Sequence, residues 1–410
     1  MSQQGPLIVI SHGERRASLV IPSCQSIFPV IDIDWSEASE GIELLQPAAV
    51  FVPTTEGAAG GGLDRLADQL AAMQPYVPLI VADPEMPCPD NALPFSLLNG
   101  GIDRFDRRLN AALRVRTLHK TVLRRLASNP AVPRLPDSNP IGDATVLLIG
   151  RGAAYPTLSV AFGERLGVVG ALSIEVAAKH LNARDLDGII ISEGFSQRVV
   201  DALLTVLAED SRFRNLPIAV TSGGSLANYD LPNLEVMSGE PYRVVSTFLP
   251  LVRQQAFEAR LRRTLRSMDA GGLLDPRTGL LTLDAFHREL NSAIHQTRSS
   301  AANISVARFS LGQKHERSLF DAARILSRLM RRMDFGTLET DGSIVVVFAD
   351  ADLRNAQMIA RRLSSVMKHT THSVKRAMRI DPQVALTASR SDDSVASLLS
   401  RLNEKARAAS

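Results

Sequence analysis

The chain has 410 residues, 45% of them hydrophobic, and a formal net charge of +3 at pH 7. This length predicts about two to four domains, and the hydrophobic content excludes a disordered protein. The small net charge argues against a general nucleic-acid binder. The two cysteines, Cys24 and Cys88, are too few for a disulfide framework or a cysteine-rich zinc site. The N-terminus lacks a signal-peptide pattern and no apolar run approaches the length of a membrane span, so we expect a cytoplasmic protein without membrane insertion.

The first segment alternates short apolar runs with amphipathic patterns. The apolar runs predict strands at residues 7–11, 30–34, 48–53, 77–83 and, most weakly, 101–105. The amphipathic patterns predict helices at residues 63–73 and 108–126. Short apolar strands that alternate with helices are typical of a parallel sheet covered on both faces. Residues 1–127 are therefore predicted to form one α/β domain.

The second segment repeats this order after a stretch rich in Pro, Ser and Asn, residues 128–142, which predicts a linker. Strands are predicted at residues 145–150, 168–172, 187–192, 217–222 and 234–238. Helices are predicted at residues 174–182, 197–209 and 243–264. The repeated order predicts an internal duplication, with residues 143–265 as a second α/β domain. A basic amphipathic pattern ends in "DAGGLL", which places the start of a third domain near Gly271.

Each of the two α/β segments resembles a receiver domain of two-component signalling. The resemblance rests on five short strands in this order, the stretch "PIAVTS" at the fourth strand, and a long final helix. It implies a flavodoxin-like fold, and phosphotransfer would require acidic residues after the first strand, an aspartate after the third and a lysine after the fifth. In the first segment, the first strand is followed by Ser11, His12 and Gly13, and the third strand by Pro53, Thr54 and Thr55. In the second segment, the first strand is followed by Gly150, Arg151 and Gly152, the third strand ends at Ser192 and Glu193, and "SGEP" stands in place of the lysine–proline pair after the fifth.

Without an acidic cluster there is no site for a hard cation. Both segments are therefore interpreted as pseudo-receivers that are not phosphorylated. Glu193 is either a fixed mimic of phospho-aspartate or an exposed turn residue. The turn "GRGAAY", residues 150–155, also resembles a dinucleotide-binding glycine turn, but it lacks the third glycine and a clear acidic partner. A plain strand-to-helix turn is the alternative for that stretch.

The third segment contains the most specific motif in the chain, "DPRTGLLTLDAFHREL" at residues 275–290. It closely resembles the opening of a GGDEF domain, the fold of diguanylate cyclases. The residues that match the family's D-x-L-T-G-L signature are Asp275, Pro276, Thr278, Gly279 and Leu280, with Arg277 at the usual leucine position. The pattern at 394–406 resembles the last helix of the family. The resemblance implies an α+β domain over residues 271–410.

The family's signature loop is degenerate in this chain. An R-x-x-D motif, Arg331 to Asp334, is followed at the family spacing by a loop that replaces G-G-D/E-E-F with Thr340, Asp341, Gly342, Ser343 and Ile344. We expect residues 340–343 to form a hairpin turn. The acidic metal ligands of the loop are replaced, and the strand "ISVARFSL" at 304–311 has no carboxylate. Two-metal phosphoryl chemistry needs such oxygen ligands, so we expect no catalytic residues, no metal and no enzymatic activity.

The retained R-x-x-D motif corresponds to the family's inhibitory site, which binds the product cyclic di-GMP. The resemblance implies that Arg331, Asp334 and Arg362 bind this ligand. Arginine can fork onto a phosphate or onto guanine O6 and N7, and aspartate can accept hydrogen bonds from guanine N–H groups. Three residues apart at a helix end, Arg331 and Asp334 would point the same way. The alternatives are that Arg331 and Asp334 form a surface ion pair and that Arg362 is an ordinary solvated arginine. The nearby Arg328, Arg332 and Arg361 either add to the positive field or have no role.

The favoured function is therefore a non-catalytic receptor for cyclic di-GMP in bacterial signalling, with no cofactor. The receiver-like domains would recruit protein partners or form a homodimer. This order of domains is similar to that of cell-cycle adaptors that couple the nucleotide to recruitment at a cell pole and to regulated proteolysis. The alternatives are a ligand-free scaffold and a residual diguanylate cyclase.

Overall fold

The computed structural model describes residues 5–11, 29–53, 61–84, 88–96, 101–128, 134–221, 229–299, 303–312, 316–368 and 381–409. The fold class predicted from the sequence is confirmed, because the chain forms two parallel α/β units followed by an α+β unit. Cys24 and the loop residues His12, Gly13, Thr54 and Thr55 lie outside the described residues. In the described part of the chain, no helix is both long and apolar enough to cross a membrane.

The first unit is a five-stranded parallel sheet in the order β2-β1-β3-β4-β5. Its elements are β1 (Leu7–Ser11), β2 (Val30–Asp34), α1 (Ala38–Leu45), β3 (Ala49–Val52), α2 (Gly62–Ala72), β4 (Leu79–Ala82), β5 (Ala92–Phe95) and α3 (Gly101–Ser128). Every residue of β1, β3 and β4 is buried. Full burial on both faces explains why these strands appear in the sequence as continuous apolar runs.

The predicted fifth strand at 101–105 is wrong, since these residues form the first turns of α3. Phe105 is buried against the rings of Phe51 and Phe95, with centroid distances of 4.5 and 5.6 Å. Together with Leu109 it follows a helical spacing that continues the buried face of α3. The true fifth strand is β5, which contains Pro94, and proline is tolerated there because β5 lies at the sheet edge.

The second unit repeats the strand order of the first, β7-β6-β8-β9-β10. Its elements are a 3-10 turn (Pro140–Asp143), β6 (Thr145–Ile149), α4 (Ala154–Gly163), β7 (Gly167–Ala171), α5 (Ile174–Ala183), β8 (Gly188–Ile191), α6 (Gln197–Glu209), β9 (Ile218–Val220), β10 (Leu234–Val236) and α7 (Pro241–Asp269). In both units the second strand in the chain lies outside the first, which is the flavodoxin-like order. The predicted duplication is thus present as a repeated topology.

The first two units pack against each other through equivalent elements. Helix α3 contacts α7, and β5 contacts α7 as well. Arg108 is fully buried in this interface. Its guanidinium donates to the carbonyls of Pro94 and Pro232, both at 2.9 Å, and pairs with Glu235 at 2.6 Å. Arg104 pairs with the same carboxylate at 2.8 Å. One hydrophobic core runs through both units.

The third unit is built on a four-stranded antiparallel sheet in the order β12-β13-β11-β14. Its elements are α8 (Leu283–Ser299), β11 (Ser305–Ser310), α9 (Glu316–Leu329), β12 (Phe335–Leu338), β13 (Ile344–Phe348), α10 (Leu353–Lys368), β14 (Gln383–Ala388) and α11 (Val395–Ala409). The strands β11 and β13 occupy the centre and are almost wholly buried. Helices α9 and α10 contact each other on one face of the sheet.

The motif at 275–280 forms a tight turn that joins three parts of the chain. The carboxylate of Asp275 accepts the backbone N–H groups of Arg277 and Thr278 at 2.7 and 3.1 Å. Gly279 has φ = +76°, a backbone conformation that favours glycine. The Gly279 carbonyl accepts the hydroxyl of Ser327 on α9 at 3.1 Å, and the Pro276 carbonyl accepts Arg263 of α7 at 3.2 Å. The motif therefore fixes α9 relative to the helix that enters the third unit.

Candidate functional site

The R-x-x-D motif lies in a turn between α9 and β12. Helix α9 ends at Leu329, and the Asp334 N–H donates to the Arg331 carbonyl at 3.0 Å to close the turn. The two side chains therefore do not share the face of a helix end, contrary to the expectation from their spacing. Arg331 is exposed, whereas Asp334 is buried.

The carboxylate of Asp334 joins the two ends of the β12–β13 hairpin. One of its carboxylate oxygens accepts the N–H of Arg331 and the other accepts the N–H of Ala349, both at 3.1 Å. Burial raises the pKa of this carboxyl, and the two backbone donors partly oppose that rise. Each carboxylate oxygen has a second lone pair, so Asp334 can still accept a hydrogen bond from a ligand donor. Its side chain thus holds Arg331 in place by fixing the backbone of the turn.

Arg362 lies on α10, the helix that packs against α9, and its side chain is exposed. Arg332 and Arg361 are exposed as well. Within the described part of the chain, none of these three side chains, nor that of Arg331, makes an ion pair or a hydrogen bond. Each of these four arginines is an exposed positive charge without a salt bridge among the described residues, and such charges favour an anionic ligand.

Arg328 differs from its neighbours, because it pairs with Asp185 of the second unit and donates to the Leu181 carbonyl at 3.5 Å. Arg184 of the same segment is 1% exposed and donates to the carbonyl of Val366 on α10 at 3.0 Å. The second unit therefore contacts α9, which leads into the R-x-x-D turn, and α10, which carries Arg362. The sequence analysis did not identify this role for Arg184 and Arg328, because their partners are far away in the chain.

Residues 340–343 form the predicted hairpin turn between β12 and β13. The Glu339 N–H donates to the Ser343 carbonyl at 2.8 Å, and Gly342 has φ = +82°. Arg308 on β11 reaches this turn and binds Glu339 at 2.8 Å, Asn403 at 2.8 Å, and Asp341. Sequence reasoning missed Arg308, although a lone arginine in the apolar run "ISVARFSL" was the available signal.

The charge of Arg308 is neutralised by the two carboxylates of the turn. Burial acts to raise the pKa of Asp341, but hydrogen bonds from Ser343 and the nearby Arg308 outweigh it and lower that pKa overall. Asp341 is thus ionised at neutral pH and paired with a guanidinium. Among the described residues, no cluster of three or more His, Cys, Asp or Glu side chains is arranged to hold a metal ion.

Glu193 lies at the carboxyl end of β8 and is exposed. Its backbone carbonyl accepts the N–H groups of Arg151 and Gly152 at 3.0 and 3.2 Å. The Arg151 guanidinium donates to the Gly194 carbonyl at 3.1 Å and stacks over Phe195. The loop that begins at Gly150 leads into α4, so it is a strand-to-helix turn. The role of Glu193 as a phospho-aspartate mimic remains a prediction.

No family model and no curated protein sequence matches the chain, but solved structures resemble part of it. The coiled coil and GGDEF domain of DgcB from Caulobacter crescentus, in complex with c-di-GMP, aligns at 15% identity with a TM-score of 0.31, over 36% of this chain and 86% of that one. A sensory box/GGDEF family protein from Caulobacter crescentus CB15 aligns at 19% identity and TM-score 0.29, over 33% and 97%. The GGDEF domain of FimX from Pseudomonas aeruginosa aligns at 17% identity and TM-score 0.30, over 33% and 93%.

Proposed function

We propose that the protein is a non-catalytic receptor for cyclic di-GMP that binds the ligand at Arg331, Asp334 and Arg362. The observation that carries this proposal is the R-x-x-D turn with its exposed Arg331, together with the exposed Arg362 on α10, the helix that contacts α9. Cyclic di-GMP presents two phosphates and two guanines, and an unpaired guanidinium can fork onto either group. The alternative for this motif is an ion pair between Arg331 and Asp334: the two side chains form no salt bridge among the described residues, but the charge of Arg331 acts to lower the pKa of Asp334.

We infer that the second unit helps to complete the site. Its segment around Arg184 and Asp185 contacts α9 at Arg328 and α10 at Val366. The family resemblance implies a stacked pair of ligand molecules, of which one R-x-x-D motif covers only part. The remaining surface of that pair would then face the second unit of the same chain or a second protomer.

The absence of cyclase activity is part of the proposal. Cyclase chemistry in this fold needs carboxylates that hold metal ions at the signature loop and the first strand. Here Arg308 extends from that strand into the loop, where its positive charge lies against Asp341 and Glu339. A guanidinium in this place satisfies the acidic groups and repels a divalent cation. We therefore assign no catalytic residue and no metal.

With GTP and magnesium or manganese, the purified protein is expected to make no cyclic di-GMP above a no-enzyme blank. The measurement is chromatographic detection of product over several hours, with an active diguanylate cyclase as the positive control. Turnover that disappears in Asp341→Asn would show that the loop still supports metal chemistry, and the protein would then be an enzyme.

Titration calorimetry with cyclic di-GMP is the direct test of the receptor. We expect saturable binding to the intact protein, with an affinity that falls as salt is added because the ligand phosphates contribute to it. Cyclic di-AMP, which keeps both phosphates but lacks guanine, is the matched control and is expected to bind more weakly. No heat of binding with cyclic di-GMP would favour the ligand-free scaffold.

The domain order suggests how such a receptor would act. It is similar to that of PopA-type cell-cycle adaptors, in which pseudo-receivers serve protein contacts and a degenerate GGDEF domain senses the nucleotide. In this chain, the fifth-strand and last-helix faces of the first two units are already occupied by each other. Protein partners, or a second copy of the chain, would therefore bind the remaining faces of these units.

A further inference from the structure

A cavity of about 750 Å³ lies between the first unit and the helix α7 of the second. Its volume falls within the range of small-molecule sites in proteins. The apolar part of its wall includes Leu70, Leu93, Leu123 and Phe257. The polar part includes Tyr76, His119, Arg253 and Gln254. Both units line this space, which is far in the chain from the R-x-x-D turn.

Two polar side chains of the cavity wall, His119 and Tyr76, each keep a hydrogen-bond donor. The Nδ1 of His119 accepts the N–H of Tyr76 at 2.9 Å, so the proton of the neutral ring is on Nε2. Burial and the nearby Arg116 lower the pKa of His119 to about 4, which keeps the ring neutral at pH 7. The amide of Gln254 donates to the Tyr76 hydroxyl at 3.2 Å, so the hydroxyl proton is left for another acceptor. Burial raises the pKa of Tyr76 to about 12, so this proton is retained.

Arg253 supplies a positive charge to the wall of the cavity, which also carries the exposed Asp137. Its Nε–H is shielded from solvent and has no hydrogen-bond partner. Arg253 also forms no ion pair with any residue of the described ranges. The Nε of Arg260, which also lines the cavity, is unpartnered as well, but the terminal nitrogens of that guanidinium are held by the Ser138 carbonyl at 2.7 Å and by Asp143 at 2.8 Å. The terminal nitrogens of Arg253 have no such partner among the described residues, and a ligand in the cavity would bind there.

We propose that this cavity binds a small organic anion with an apolar body, such as the carboxylate of a medium-length acyl chain. The carboxylate would accept from Arg253 and from the neutral donors of Tyr76 and His119, and the chain would lie against Phe257 and the leucines. This site is separate from the one assigned to cyclic di-GMP. A ligand there would bridge the first unit and α7. On that helix, Arg263 donates to the Pro276 carbonyl and Ser267 to the Leu274 carbonyl, both at the start of the third unit.

The test uses the intact protein without cyclic di-GMP. The fluorescence of 8-anilinonaphthalene-1-sulfonate reports binding, and decanoate, below its micelle concentration, competes with it. Decan-1-ol is the control ligand, since it has the same apolar body and no charge. We expect one saturable site per chain, displacement by decanoate but not by decanol, and a rise in the melting temperature with decanoate.

Two variants and one matched control complete the experiment. Arg253→Gln removes the charge and is expected to weaken decanoate binding about 10-fold or more. Arg266→Gln makes the same change on an exposed residue of α7 outside the cavity and is expected to leave binding unchanged. Leu123→Trp fills the space and is expected to abolish binding. Equal displacement by decanol, equal affinities of the two glutamine variants, or undiminished binding to Leu123→Trp would each overturn the proposal.

Discussion

Arg331→Ala is expected to weaken the binding of cyclic di-GMP by about 30- to 1,000-fold. The change removes a charge-assisted fork and leaves a ligand phosphate or guanine edge without its partner, which costs roughly 2–4 kcal/mol. The side chain of Arg331 is exposed and forms no salt bridge among the described residues, so the fold of the free protein should tolerate the change. Calorimetry on wild type and variant measures the difference in affinity.

The neighbouring Arg332 provides the control for this experiment. It has the same charge and is exposed in the same turn, but it lies outside the R-x-x-D pattern. Arg332→Ala should change the affinity by only a fewfold, through the loss of positive field. Equal affinities of wild type and Arg331→Ala would contradict the receptor. Equal losses in both arginine variants would show that the ligand responds to the overall charge of the surface and not to a specific clamp.

Glu235→Ala is expected to lower the free energy of unfolding of the paired units by about 3–5 kcal/mol. The carboxylate of Glu235 is 5% exposed and neutralises both Arg104 and Arg108. Its removal leaves the fully buried guanidinium of Arg108 without its carboxylate partner, and water cannot solvate that charge there. Urea unfolding followed by circular dichroism measures the change as a shift of the transition midpoint.

Asp230→Ala is the matched control, because it also removes one carboxylate from two arginine contacts. Asp230 pairs with Arg107 at 3.7 Å and Arg214 at 3.6 Å, but its side chain is 56% exposed. Surface pairs of this kind contribute less than about 1 kcal/mol. If the two variants lost the same stability, burial of the Glu235 cluster would not be the cause of its effect.

The strands that the sequence predicts best are those buried on both faces. Runs such as "TVLLI" and "LIVIS" have few alternatives, because a continuous apolar segment of that length fits the centre of a parallel sheet. The stretch "GIDRF" is too short for a reliable assignment from its pattern. Its two apolar residues, Ile102 and Phe105, are three apart, which is a helical and not a strand spacing, and the structure places them in α3.

The candidate site was predictable as a set of residues but not as a geometry. The motif and its spacing identify Arg331, Asp334 and Arg362 as candidates. The hydrogen bond from the Ala349 N–H to Asp334 forms only when β13, which ends just before Ala349, pairs with β12. The interaction of Arg308 with Asp341 has the same origin. Contacts between residues far apart in the chain depend on the register of the folded sheet, and no local pattern in a single sequence encodes them.

The pairing of the first two units has a consequence for how the protein responds to its own abundance. Two complementary faces on one chain meet at an effective concentration on the order of millimolar, a value set by the connection between them. A homodimer that used the same faces would dissociate as the protein became dilute. The first two units of this chain do not separate on dilution, because every molecule contains both halves of the interface. Changes in the amount of protein in a cell therefore leave the contact between Arg108 and Glu235 intact.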